Sequence, residues 1–173
     1  YASSTVLSTS APVPVVATLP NLTDECSISL AIPTALDNCG GTVFGTTTTA
    51  SLITTQGTTI VTWSYDDGNG NISTQNQTVI IDDVTAPVPD LLSLADVTRE
   101  CDLAWFPVPW ATDNCGFGMN GTTTTTLPIT TVGTNVVEGT FDDGNGNVTT
   151  ANQNIIITDT DPHFPPGPSP VFW

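Results

Sequence analysis

The feature that most constrains this chain is an internal duplication. The motif "APVP" at 11–14 returns at 86–89, "TDEC" ending at Cys26 returns as "TREC" ending at Cys101, and "LDNCG" ending at Gly40 returns as "TDNCG" ending at Gly116. Further on, "GTTTT" at 45 returns at 121, "DDGNGN" at 66 returns at 142, and the "VIID" ending at Asp82 has its cognate in the "IIIT" ending at Thr158. The offset is 75 residues up to the first cysteine of each copy and 76 from the second cysteine onward, so one residue is inserted between them. Two units of like kind must therefore each close a core within about 75 residues. The boundaries read as 11–85 for the first repeat and 86–161 for the second, flanked by an opening segment, 1–10, and a proline-rich tail, 162–173.

Both copies read as all-β. Runs such as "VVATL", "TVFGTTTT", "TIVTWSY" and "QTVII" are rich in β-branched and aromatic residues and are separated by Gly, Pro, Asn and Asp clusters. Within "TIVTWSY", strand alternation puts Val61, Trp63 and Tyr65 on one face and Ile60, Thr62 and Ser64 on the other. Six or seven short strands per copy predict two tandem immunoglobulin-like antiparallel β-sandwiches.

A core this thin needs reinforcement, and the cysteines supply a candidate. Cys26, Cys39, Cys101 and Cys115 fall two to a repeat, which predicts one local disulfide in each, Cys26 with Cys39 and Cys101 with Cys115. Each crosslink would contribute about 3 kcal/mol on the chain-entropy model. Two cysteines per repeat without a neighbouring His do not complete a tetrahedral zinc site. Disulfides in turn predict an oxidising, extracytoplasmic setting.

Charge narrows the partners. Seventeen acidic residues stand against one Arg and no Lys, a formal charge of −16. Nucleic acid is excluded as a partner, since phosphate contacts need clustered Lys and Arg. An anionic membrane surface would be repelled and divalent cations attracted. No apolar run is long enough for a membrane-spanning helix.

The "DDGNGN" stretch admits two readings. Asp67, Asn69 and Asn71 offer oxygens at alternate positions, as the opening of a calcium loop does, with Asp142, Asp143, Asn145 and Asn147 as the second copy. Asp66, Asp82 and Asp83 extend the candidate calcium ligand set. The EF-hand template fails, because its sixth position is Ile72 rather than Gly and its twelfth is Thr78 rather than Glu. The alternative is a hairpin turn, for which Asp-Gly and Asn-Gly suffice. Both readings stand at this level.

Catalysis finds little footing. The single histidine, His163, lies in the unrepeated tail, and neither a phosphate-binding Gly loop nor a nucleophile elbow is present. No catalytic residue is assigned. The second copy replaces Trp63 by Gly139 and Phe44 by Asn120 while gaining Trp105 and Trp110. Those tryptophans either fold inward to restore lost volume or form an exposed patch that could stack on sugar rings. Five Asn-X-Ser/Thr triplets, at Asn21, Asn71, Asn76, Asn120 and Asn147, are candidate glycan acceptors.

The two ends carry expectations of their own. "YASSTVL" occupies the place of a preceding repeat's last strand, which predicts either a slice of a longer array or a strand donated to a neighbouring copy. The chain opens at Tyr1 rather than Met, as a matured or excised piece would. The tail "DPHFPPGPSPVFW" predicts an extended polyproline-like segment.

The ordered motifs "TAPVPD", "T-x-EC", "DNCGGT", "GTTTT", "YDDGNGN" and "VIIDDVTAPVP" resemble the HYR-like, immunoglobulin-like tandem repeats of Bacteroidetes cell-surface adhesins of the SprB-like gliding-motility type, over residues 5–161. That resemblance implies a secreted surface filament of tandem sandwiches used in adhesion or gliding, with neighbouring repeats or copies as partners and surface or glycan ligands as targets. It also implies calcium stiffening at the acidic turns. The replacement of Trp63 by Gly139 departs from its core pattern.

Overall fold

The computed structural model describes residues 9–90, 94–105, 109–116 and 118–160, which form strands and turns without a helix. The chain divides into two compact units, Tyr1–Thr85 and Ala86–Trp173. The fold is all-β, with each unit an immunoglobulin-like sandwich built from small sheets. The expected donor strand at residues 1–7 and the tail at 162–173, His163 included, lie outside the described residues.

Unit 1 contains β1 (Val13–Pro14), β2 (Leu22–Asp24), β3 (Ile28–Ser29), β4 (Thr34–Leu36), β5 (Thr42–Phe44), β6 (Leu52–Ile53), β7 (Gly57–Asp66) and β8 (Ile72–Ile81). One sheet has the order β1-β4-β5, a second β2-β8-β7, and β3 pairs with β6. The longest pairing is the β7–β8 hairpin, antiparallel from Gly57 opposite Ile81 to Asp66 opposite Ile72. Alternation along β7 buries Val61, Trp63 and Tyr65, as the pattern of "TIVTWSY" requires, and β8 answers with Gln77, Val79 and Ile81. Leu19, Ala35 and Ile53 complete the core from the facing elements. Burial of each large side chain is worth roughly 1.5–3 kcal/mol.

Unit 2 repeats the plan with β9 (Val88–Pro89), β10 (Val97–Glu100), β11 (Trp110–Thr112), β12 (Gly118–Asn120), β13 (Gly133–Asp142) and β14 (Val148–Thr158). Its sheets run β9-β11-β12 and β10-β14-β13. A single bridge between Leu103 and Ile129 stands where unit 1 has the β3–β6 pair. Leu103, Ile129, Val137, Ile155 and Ile157 form the core cluster.

Three expectations need correction. The sheets are not wholly antiparallel: β2 runs parallel to β8, with Leu22 opposite Val79, and β10 runs parallel to β14, with Val97 opposite Ile155. The whole body of each unit separates those partners, so no tight turn imposes an antiparallel direction. "VVATL" is not a strand, since residues 15–18 are bends. The carbonyls of Pro12, Val16 and Pro20 are instead taken by side chains of β8, Ser73 Oγ, Gln75 Nε2 and Gln77 Nε2. The flanking Pro14 and Pro20 lack the N–H a ladder needs.

The third correction concerns the cysteines. Cys26 and Cys115 are disulfide-bonded, whereas Cys39 and Cys101 are exposed thiols. Neither predicted local bridge, Cys26–Cys39 or Cys101–Cys115, is formed. Sequence proximity alone does not set the pairs, which depend on where the segments after strands of different sheets come to lie. Cys26 follows β2, in the sheet with β8, while Cys39 sits on the turn between β4 and β5 in the sheet with β1.

Candidate functional site

The acidic turns cap the two long hairpins, β7–β8 and β13–β14, and their geometry is nearly identical. Asp66 Oδ1 accepts from Gly68 N at 2.8 Å, while Asp67 Oδ1 accepts from Asn69 N at 2.8 Å and Asn71 N at 3.2 Å. Asp67 Oδ2 accepts from Asn71 Nδ2 at 2.7 Å. In the second copy Asp142 Oδ1 accepts from Gly144 N at 2.8 Å, Asp143 Oδ1 from Asn145 N at 2.7 Å and Asn147 N at 3.2 Å, and Asp143 Oδ2 from Asn147 Nδ2 at 2.7 Å. Gly68 and Gly70 take φ of 78° and 94°, which only glycine adopts without strain.

Donors thus converge on one carboxylate in each turn. The Asn71 side-chain amide holds the Asp67 carboxyl below its ordinary range, against a smaller desolvation effect and aided by the Asn69 and Asn71 amides. For Asp143, desolvation pushes upward, but hydrogen bonds from Asn147, Asn145 and Gly146 outweigh it and the carboxyl is again lowered. This is a setting for an anion, already satisfied by the loop's own N–H groups. Asp67 Oδ1 takes two of these hydrogen bonds and Oδ2 one, so the loop's own donors fix the carboxylate in a hairpin turn. The remaining candidate ligands are scattered in role: Asp82 is exposed with its N–H bonded to Asp24 O, and Asp83 is buried with Oδ1 accepting from Thr85 N at 3.2 Å.

One carboxylate escaped the sequence reading. Asp113 is buried, with Oδ2 accepting from Cys115 N at 2.8 Å and Oδ1 without a partner among the described residues. The only signal was its place in "TDNCG", shared with Asp37, whose Oδ2 makes the same bond to Cys39 N.

The second candidate is the aromatic difference between the units. In unit 1, Trp63 is 2% exposed and its Nε1 donates to Gln77 Oε1 at 3.1 Å. Gly45 lets the ring lie close, since a Cβ there would stand 3.1 Å from Trp63 Cε3. In unit 2 the position is Gly139, and neither new tryptophan replaces the lost volume. Trp105 is 72% exposed and Trp110 45% exposed. Trp110 lies over Gly118, where an added Cβ would fall 2.2 Å from its Cζ2, so one ring face is already covered. A cavity of about 170 Å³ remains, lined by Leu94, Trp105, Pro109, Val137, Gly139 and Gln153 among others.

No family model matches this sequence. Hyalin of Lytechinus variegatus is 33% identical over 150 residues, a match covering 80% of this chain and 28% of hyalin. The chain is similar to hyalin. It spans less than a third of hyalin's length. Among solved structures, an endo-fucoidan hydrolase of glycoside hydrolase family 107 aligns over 87% of this chain and 29% of its own, at 18% identity and a TM-score of 0.37. The extracellular cadherin domains 1–4 of protocadherin gamma B7 align over 88% of this chain and 52% of their own, at 12% identity and a TM-score of 0.35. Both scores are too low to establish a shared architecture.

Proposed function

We propose that this chain is a non-enzymatic structural module of an extracellular adhesive polymer. The observation that carries the reading is the similarity to hyalin at 33% identity over 150 residues, a span too long for a single repeat of this chain. Cys26 and Cys115, disulfide-bonded, fit an oxidising exterior. A surface of hydroxyls, amides and carboxylates with one Arg and no Lys offers trypsin-like proteases almost nothing to cut. Function then lies in reach and surface contact, and neighbouring repeats of the same polymer are the first partners.

The test is immunolabelling of intact cells combined with an attachment assay. Surface labelling without permeabilisation, with attachment reduced by Fab fragments against residues 9–160, is the expected result. Label that appears only after permeabilisation would overturn the reading. The finer assignment, a tandem filament of the gliding or adhesion type, predicts that native, unreduced and denatured material has a mass many times 18.0 kDa. A mass near that value would point to a discrete subunit.

A further inference from the structure

The two units solve one packing problem differently, and the difference leaves a built pocket. In unit 1 two hydrogen-bonded pairs cross from β7 to β8: Tyr65 Oη donates to Gln75 Oε1 at 3.0 Å, and Trp63 Nε1 donates to Gln77 Oε1 at 3.1 Å. In unit 2 the first pair has become Phe141 and Ala151, so donor and acceptor left together and no polar atom was stranded. The second pair lost one member only, with Trp63 replaced by Gly139 and Gln77 retained as Gln153. Loss of both partners is close to neutral, while loss of one leaves the other to be satisfied.

Gln153 is held in the same pose as its counterpart. Its Nε2 donates to Ala95 O at 3.0 Å, as Gln77 Nε2 does to Pro20 O at 3.2 Å. The side chain is 8% exposed, and it lines the cavity together with Gly139. Its Oε1 is therefore the acceptor to which, in unit 1, an indole N–H is bound. The other walls are mostly apolar, from Leu94, Pro109, Leu127 and Val137, with Thr122 and Thr123 beside them and the exposed Trp105 among the lining residues. An apolar cavity of about 150 Å³ is enough to bind benzene.

We infer that the unit 2 cavity is a binding site for a planar aromatic carrying one N–H donor, the indole ring being its type. Unit 1 carries that ring covalently as Trp63, and unit 2 presents the vacated space with its acceptor. Two sources share this chemistry, a free indole-class small molecule and the tryptophan side chain of a peptide.

The test is calorimetric titration of the full chain with indole, with benzofuran, which has oxygen in place of the N–H, and with N-acetyltryptophanamide. Indole should bind one site per chain, and benzofuran about tenfold more weakly for want of the hydrogen bond. Binding of N-acetyltryptophanamide at least as tight as indole would assign the site to a peptide's tryptophan, and its exclusion would assign it to the free small molecule. Gly139→Trp, checked for folding by circular dichroism, should abolish binding by installing unit 1's own ring. Absence of indole binding up to millimolar concentration, equal affinity for indole and benzofuran, or binding that survives in folded Gly139→Trp would each overturn the assignment. The indole and benzofuran comparison needs no variant, so a misfolded substitution leaves the test intact.

Discussion

At the scale of single residues, the acidic turns make a statement about pH. Asp67 and Asp143 both have carboxyls lowered by hydrogen bonds from the turn, which are stronger to the ionised carboxylate. A depressed folded-state value means stability that is present above the ordinary aspartate range, near pH 4, and lost as pH falls through the folded value. The expected outcome is a melting temperature that is flat from pH 7 to 5 and falls below pH 4. Asp67→Asn combined with Asp143→Asn should lower the plateau and flatten the acid limb, as a pH series of thermal melts would reveal. The calcium reading is tested on the same melts: a melting temperature raised by millimolar calcium in the parent chain but not in Asp67→Asn would place a cation at the turn, and an unchanged one would leave a hairpin turn alone.

A second residue-scale outcome concerns Gly118. Its Cβ would collide with the Trp110 ring, which is already half exposed and can swing outward. Gly118→Ala should therefore increase iodide quenching of tryptophan fluorescence while costing about 1 kcal/mol or less in stability, since one partly exposed contact is lost.

At the scale of elements, β7 and β13 share one burial pattern but not one core. Trp63→Gly should cost unit 1 about 3–5 kcal/mol, the range for deleting a large buried aromatic. The reverse change, Gly139→Trp, should stabilise unit 2 by about 1–3 kcal/mol, less than full cavity filling because the entrance must close. Gly139 has no left-handed φ, and a Cβ there meets Ala151 O at 3.6 Å and Pro109 Cγ at 3.7 Å, so the backbone accepts a side chain. Separate calorimetric transitions for the two units would locate each effect.

Much at this scale was legible beforehand, and particular residues show why. Alternation in "TIVTWSY" encodes which face of β7 is buried, and paired Gly and Asn residues encode the hairpin turn, because both are local properties. The bends at residues 15–18 were not legible: Val15 and Val16 carry strand propensity, but their fate is decided by Gln75 and Gln77, about sixty residues away. The loss of Trp63 at Gly139 was visible in the sequence, yet the cavity was not. Whether Trp105 turned inward depended on tertiary packing that no local pattern reports.

At the scale of the whole molecule, the cysteines are the plainest lesson. Two cysteines to a repeat suggested local pairs, whereas the chain has Cys26 and Cys115 disulfide-bonded and Cys39 and Cys101 as thiols. Alkylation of the unfolded, unreduced chain should label Cys39 and Cys101, and peptides bearing Cys26 and Cys115 should label only after reduction. Peptide mapping by mass spectrometry reads both. Recovery of labelled Cys26 before reduction would contradict the arrangement.

The parallel pairing of β2 with β8, and of β10 with β14, has a mechanical consequence. Because these partners run in the same direction, tension drawing β2 one way and β8 the other, or β10 and β14, slides them along their common axis. The hydrogen bonds between them then resist together rather than opening one after another like a zip. Each sandwich is thus closed by a short parallel pair that pulling along the strands would load in shear, the geometry in which a few hydrogen bonds resist extension best.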